Sequence, residues 1–100
     1  MRICSYIVTI TSATADQLFS TANSPQYVRA VAIQADTANA EDCYVGGSTV
    51  TTGTGIRILN NGIYEYGAND NMDSFDFSKV YVSGLEDDFV RIQTIAGGAI

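Results

Sequence analysis

The apolar residues of this chain come in short runs, often alternating with polar ones, rich in Ile, Val, Tyr and Thr and broken by Gly, Asn, Asp and Ser. That pattern has the two-residue period of strands and leaves room for little more than one helical turn, which restricts the chain to an all-β fold. The predicted strands are Cys4–Ile10, Val28–Ala35, Cys43–Val45, Gly55–Leu59, Ile63–Tyr66, Val80–Ser83 and Phe89–Ile95. Alternation is clearest in Ile56-Arg57-Ile58, Val80-Tyr81-Val82 and Val90-Arg91-Ile92, which makes Ile56, Ile58, Val80, Val82, Val90 and Ile92 core candidates. Val28–Ala35 is apolar on both faces and reads as a central strand covered on both sides, with Val31 and Ile33 its bulkiest members.

Only Ser12–Ser20 fits a helical turn, with Ser12 or Thr14 as cap, Asp16 in the first turn and Leu18 and Phe19 packed inward. Pro25, the single proline, then returns the chain to extended geometry. Asn60-Asn61-Gly62 is the clearest turn signal, because Asn-Gly accepts positive φ angles at low cost, and it predicts a β-hairpin between Gly55–Leu59 and Ile63–Tyr66. The glycines from Gly46 to Gly55 frame a flexible excursion around Val50, and 69–74 and 85–88 read as polar loops. About seven or eight strands with connections of varied length favour a β-sandwich or jelly roll, a single domain over residues 1–100.

Composition then limits what such a domain does. The chain has 100 residues, eleven acidic and five basic, with 16% charged and no histidine. Without histidine it lacks the usual general base, the partner in Ser-His and Cys-His pairs and the commonest transition-metal ligand, so an enzyme is not expected. The five basic residues (Arg2, Arg29, Arg57, Lys79, Arg91) are scattered singly, which argues against nucleic acid as a partner. No apolar stretch approaches the roughly 20 residues that span a bilayer, and no signal peptide opens the chain, so no membrane partner is expected and the product should stay where it is made.

Individual motifs fare no better as chemistry. The Gly46–Gly55 stretch lacks the Gly-Lys-Ser/Thr ending of a phosphate loop. Asn69–Asp76 is rich in oxygen ligands, yet it lacks the mid-loop glycine of a calcium loop, and Val80 stands where the closing Glu belongs. Cys4 and Cys43 are far apart in sequence and read as two buried free thiols, with a disulfide between adjacent strands as the alternative. No cofactor and no metal are expected. The sparse charge and six tyrosines point instead to a surface partly covered by other chains. Candidate partner contacts are the acidic cluster Glu86-Asp87-Asp88, Tyr64 and Tyr66 with Tyr44 as further aromatic platforms, and Ile100 at the apolar carboxyl end.

Val28-Arg29-Ala30-Val31-Ala32-Ile33-Gln34-Ala35 is followed in order by Asn39, Tyr44-Val45-Gly46-Gly47, Val50, Gly55-Ile56-Arg57-Ile58, Gly62, Glu65 and Phe77-Ser78-Lys79-Val80-Tyr81-Val82-Ser83-Gly84. Over roughly residues 27–92 this order resembles small β-sandwich virion structural proteins of tailed bacteriophages, of the capsid decoration or cement kind. The amino-terminal strand and the acidic 69–76 stretch depart from that pattern. The resemblance implies a protein made in the host cytoplasm and incorporated into the virion capsid. Its partners would be the major capsid protein and copies of itself in a trimer. A tail or head-fibre module binding a host glycan or protein is the alternative reading, and a neck or tail-assembly protein the third.

Overall fold

The computed structural model describes residues 3–11, 15–67 and 74–96. Among the described residues nine strands form two antiparallel sheets packed face to face, as the alternation requires. They are β1 (Ile3–Thr9), β2 (Asp16–Gln17), β3 (Tyr27–Ala35), β4 (Cys43–Gly46), β5 (Ile56–Ile58), β6 (Ile63–Gly67), β7 (Phe75–Asp76), β8 (Tyr81–Ser83) and β9 (Phe89–Ala96). One sheet runs β1-β9-β3-β6, with β7 also on β3; the other runs β2-β8-β4-β5. Paired residue numbers add to 97 along β3–β6 and to 103 along β3–β7, so β6 and β7 lie end to end on β3 with six additional residues interposed.

The core lies where the inward residues of the two sheets meet. Val31, Ile33 and Ala35 of β3 and Val90, Ile92 and Thr94 of β9 face Cys43 and Val45 of β4, Ile58 of β5 and Val82 of β8, all buried. Of the six core candidates Ile58, Val82, Val90 and Ile92 are buried, Val80 is partly so, and Ile56 is 52% exposed. Ile56 has the inward parity of Ile58, but it lies at the end of an edge strand, opposite Val45, where cover runs out. Parity assigns a face; burial also needs something on it.

Within the segment expected to be helical, Asp16–Gln17 is a strand instead. Asp16 and Gln17 pair with Val82 and Tyr81, and the Asp16 carboxylate accepts the Thr11 N–H and hydroxyl rather than capping a first helical turn. Ser12 and Thr14 lie outside the described residues. Leu18 is buried and Phe19 packs on the core, so the inward pair is as expected although neither residue is helical.

The Asn60-Asn61-Gly62 turn forms, but not as a hairpin, because β5 belongs to one sheet and β6 to the other. Gly62 N–H donates to the Leu59 carbonyl at 2.7 Å and Asn61 takes φ 64. Asn61 N–H then donates to the Ala35 carbonyl and Ala35 N–H to that of Gly62, a bulge with two residues against one that bends the chain into the second sheet. Leu85–Asp88 repeats the device between β8 and β9. Asp88 N–H donates to Leu85, Asp87 takes φ 75 and donates to Ile10, and Ile10 N–H donates to Asp88.

Asp87 therefore holds a conformation that glycine adopts without steric conflict. Asp87→Gly is expected to stabilise the fold by about 0.5–1 kcal/mol, because left-handed strain of about 1–2 kcal/mol outweighs the extra chain entropy of about 0.4–1 kcal/mol. Asp87→Ala keeps the strain and should not stabilise. Urea unfolding of the pair measures both, and equal midpoints would show that Asp87 is unstrained.

The glycine-framed excursion is anchored rather than free. Val50 is buried, its N–H donates to Gly47, and its side chain fills the space beside Gly46 and Gly55. A Cβ on Gly55 would stand 2.5 Å from Val50 Cγ2 and 2.8 Å from the Val45 carbonyl, so glycine is required there for close approach.

Candidate functional site

The outward surface of the β1-β9-β3-β6 sheet is built in cross-strand rows. Ile3, Ile95, Ala30 and Gly67 form the first, Ser5, Gln93, Ala32 and Glu65 the second, and Ile7, Arg91, Gln34 and Ile63 the third. Ala32 of β3 floors a trough with Ile7 and Ile63 at its two sides, and Ala30 lines the neighbouring hollow. Ile3, Ile7 and Ile63 are each more than half exposed. The expectation that β3 is covered on both faces is thus corrected, because small side chains rather than a second layer explain its apolar outer face. These isoleucines were missed as contact candidates, although the signal was present: the amino-terminal strand and Ile63–Tyr66 carry apolar residues on both parities.

The acidic end of the sandwich collects loops 36–42, 59–62 and 84–88. Asn39, 6% exposed, donates from Nδ2 to the Phe89 carbonyl and accepts the Phe89 N–H on Oδ1, both at 2.8 Å, so its amide extends the sheet like a further backbone unit. Asp88 is buried, and its carboxylate accepts the N–H groups of Ala40 and Glu41. Of the predicted cluster Glu86-Asp87-Asp88, then, only Glu86 and Asp87 face outward, and Asp88 holds the neighbouring loop. Arg91 pairs with Asp36 and Arg57 with Asp42 at the surface. The Ala38 N–H and Arg91 hold the Asp36 carboxyl below its ordinary range, since both favour its charged form.

Tyr64 and Tyr66 meet on the opposite flank, in a cleft of about 360 Å³ between the sheets that is also lined by Val31, Ile56 and Phe75. Tyr66 and Phe75 stack edge to face with centroids 4.8 Å apart. Asp76 and Lys79 stand in the same cleft, and Asp76 caps the short 3-10 turn Phe77–Lys79 through Ser78, whose hydrogen bonds lower its pKa. Tyr44 is not part of this group; it lies in the region of Asp42, Arg57 and Leu85. Of the stretch 69–76, residues 69–73 lie outside the described residues, as does Ile100.

Both thiols are free, Cys43 buried and Cys4 only partly so, which corrects the expectation for Cys4. Among the described residues no group of His, Cys, Asp and Glu gathers to hold a metal, and no helix is long and apolar enough to cross a membrane. Burial, with the Asp88 charge second, pushes the Cys43 thiol from 9.0 to about 11, and burial pushes the Tyr6 hydroxyl from 10.0 to about 12. Tyr6 donates that hydroxyl to the Leu18 carbonyl at 2.9 Å.

In the unfolded chain both groups lose their protons at their ordinary values, before the folded chain does. The associated stability is complete below pH 9.0 and is lost as pH rises toward 12. The melting temperature is expected to start falling near pH 9.0, and in Cys43→Ala only near the ordinary Tyr6 value of 10.0. Scanning calorimetry across this range checks the order, and identical profiles would remove Cys43 from the account.

The structure offers three separate surfaces, an apolar sheet face, an acidic end and an aromatic cleft, and no assembled nucleophile, base or metal site among the described residues. In comparisons with known proteins, no family model, no curated protein and no solved structure matches this chain.

Proposed function

We propose that this chain is a structural subunit of a tailed-bacteriophage virion, a capsid decoration or cement protein that binds the major capsid lattice and other copies of itself. The observation that carries the reading is the outer sheet face, where Ile7 and Ile63 stand exposed beside Ala32 and Ile3 is exposed on the same face. Apolar groups concentrated on one face mark a surface that is covered in use. The order of motifs from Val28 to Gly84 supports a virion setting, and repeated weak contacts across a lattice add up to tight binding. No chemistry is assigned to it.

The test is copurification. The protein should travel with full heads at a copy number matching capsid lattice positions, and Ile7→Lys with Ile63→Lys should release it while leaving the fold intact. Recovery only with detached tails would overturn the capsid assignment. The Tyr64-Tyr66-Phe75 cleft favours a second reading, a fibre module that recognises a host glycan by stacking. That reading expects glycan-array binding that is lost in Tyr66→Ala.

A further inference from the structure

We propose that β1 pairs antiparallel with β1 of a second copy, joining the two β1-β9-β3-β6 sheets edge to edge about a two-fold axis at Tyr6. β1 is an edge strand: it pairs with β9 on one side, and among the described residues no strand pairs with the other. Ile10 N–H donates to the Asp88 carbonyl, and Asp36 N–H to that of Phe89. By antiparallel alternation, Cys4, Tyr6 and Val8 then exchange hydrogen bonds with β9, while Ile3, Ser5, Ile7 and Thr9 turn their N–H and C=O groups to the open edge.

This edge lacks the protection the others have. β2 is two residues long, β5 is three residues with Arg57 at its centre, and the β6 edge carries Glu65 and is interrupted before β7. β1 runs seven residues, Ile-Cys-Ser-Tyr-Ile-Val-Thr, without a charge, a proline or a break in its register with β9. An apolar edge of that length is a template for another strand.

The occupant is a second copy because the strand is complementary to itself. With Tyr6 on the axis, Ile3 opposes Thr9 of the second copy and Ser5 opposes Ile7 of the second copy. All four open-edge residues then meet residues whose own groups face the edge. Directly opposed residues share a face, so Ile3 and Ile7 of both copies join in one outward apolar strip. Charge selects the direction. Thr9 leads into the acidic end that bears Glu86 and Asp87, and antiparallel pairing separates the two acidic ends by about a strand length, roughly 20 Å, beyond the Debye length of about 8 Å. Parallel pairing would set them side by side. The contact is isologous, so it closes at two copies instead of running on into a fibre. It gives a dimer where the resemblance implies a trimer, and it does not depend on the virion reading.

Light scattering coupled to size exclusion, from about 1 µM to about 1 mM protein, should show mass rising from 10.7 kDa to twice that value. Amide exchange should slow with concentration at Ile3, Ser5, Ile7 and Thr9, but not at residues of β5. Ile7→Pro removes an N–H that serves only the open edge, and Ser5→Lys adds a charge beside the axis. Each is expected to weaken dimerisation by at least about tenfold with an unchanged circular dichroism spectrum. Should either variant unfold, the exchange pattern of the unmodified protein decides alone. A monomer at every concentration, a trimer, or a dimer whose β1 amides stay unprotected overturns the proposal.

Discussion

Replacing Asn39 by alanine is expected to remove a large part of the stability of the fold, about 2–4 kcal/mol. Asn39 is buried, and its amide satisfies both the N–H and the carbonyl of Phe89 while its own backbone carbonyl accepts Asn60 Nδ2 at 2.8 Å. Alanine leaves the Phe89 N–H with no partner, at about 1–3 kcal/mol for an unsatisfied group, and leaves the Phe89 carbonyl only the long Asp36 N–H bond of 3.5 Å in place of a short one, about 1 kcal/mol more. A domain of this size has about 5–15 kcal/mol in total, so a melting temperature lower by about 10 °C or more is expected. Asn39→Asp separates hydrogen bonding from packing. The aspartate accepts the Phe89 N–H but, when ionised, presents an acceptor to the Phe89 carbonyl. Its deficit against the unmodified protein should therefore shrink in acid, where a protonated carboxyl donates again. A variant pair with equal deficits at both pH values would show that the side-chain donor is unimportant.

The second large effect belongs to Phe77. It is the largest fully buried side chain, and it sits in the 3-10 turn Phe77–Lys79, where the chain passes from β7 in one sheet to β8 in the other. Its N–H donates to the Gln26 carbonyl at 2.8 Å and its carbonyl accepts the Val80 N–H, so the ring is held from both directions along the backbone. Phe77→Ala should cost about 3–5 kcal/mol through lost contacts and the cavity left behind. Phe77→Leu, nearer in volume, should cost less than about 1.5 kcal/mol. Thermal unfolding by circular dichroism distinguishes the two. Similar losses for both would mean that the aromatic shape, not the filled volume, is what the crossover needs.

These effects also mark what the sequence made visible and what it hid. All seven predicted strands exist within a residue or two, because period-two alternation is a local property that survives folding. β2 and β7 were invisible, since two residues such as Asp16 and Gln17 carry no period and are extended only because Tyr81 and Val82 lie beside them. Asn60-Asn61-Gly62 announced its positive φ, but the pairing partner of Ile63–Gly67 is β3, and no local signal names a partner. Asp88 reads as part of a polar loop and Asn39 falls between predicted strands; burial makes both structural, and burial is a property of the whole fold. Tyr64 and Tyr66 were legible as neighbours by their parity, whereas the distance from Tyr44 depends on which sheet each strand joins.

The order β1-β9-β3-β6 also governs when this protein is able to fold. β9 lies between β1 and β3, so Ile3 pairs with Ile95 and Val28 with Ala96. During synthesis the first strand and the longest strand leave the ribosome with no neighbour between them, and the sheet that holds half the core cannot close until the final strand emerges. Closing such long chain separations puts all-β domains in the millisecond-to-second range. Over that interval the nascent chain exposes the flanks of an unfilled slot shaped for one strand, so a chaperone or a neighbouring nascent copy has its widest opportunity before residue 89 is made.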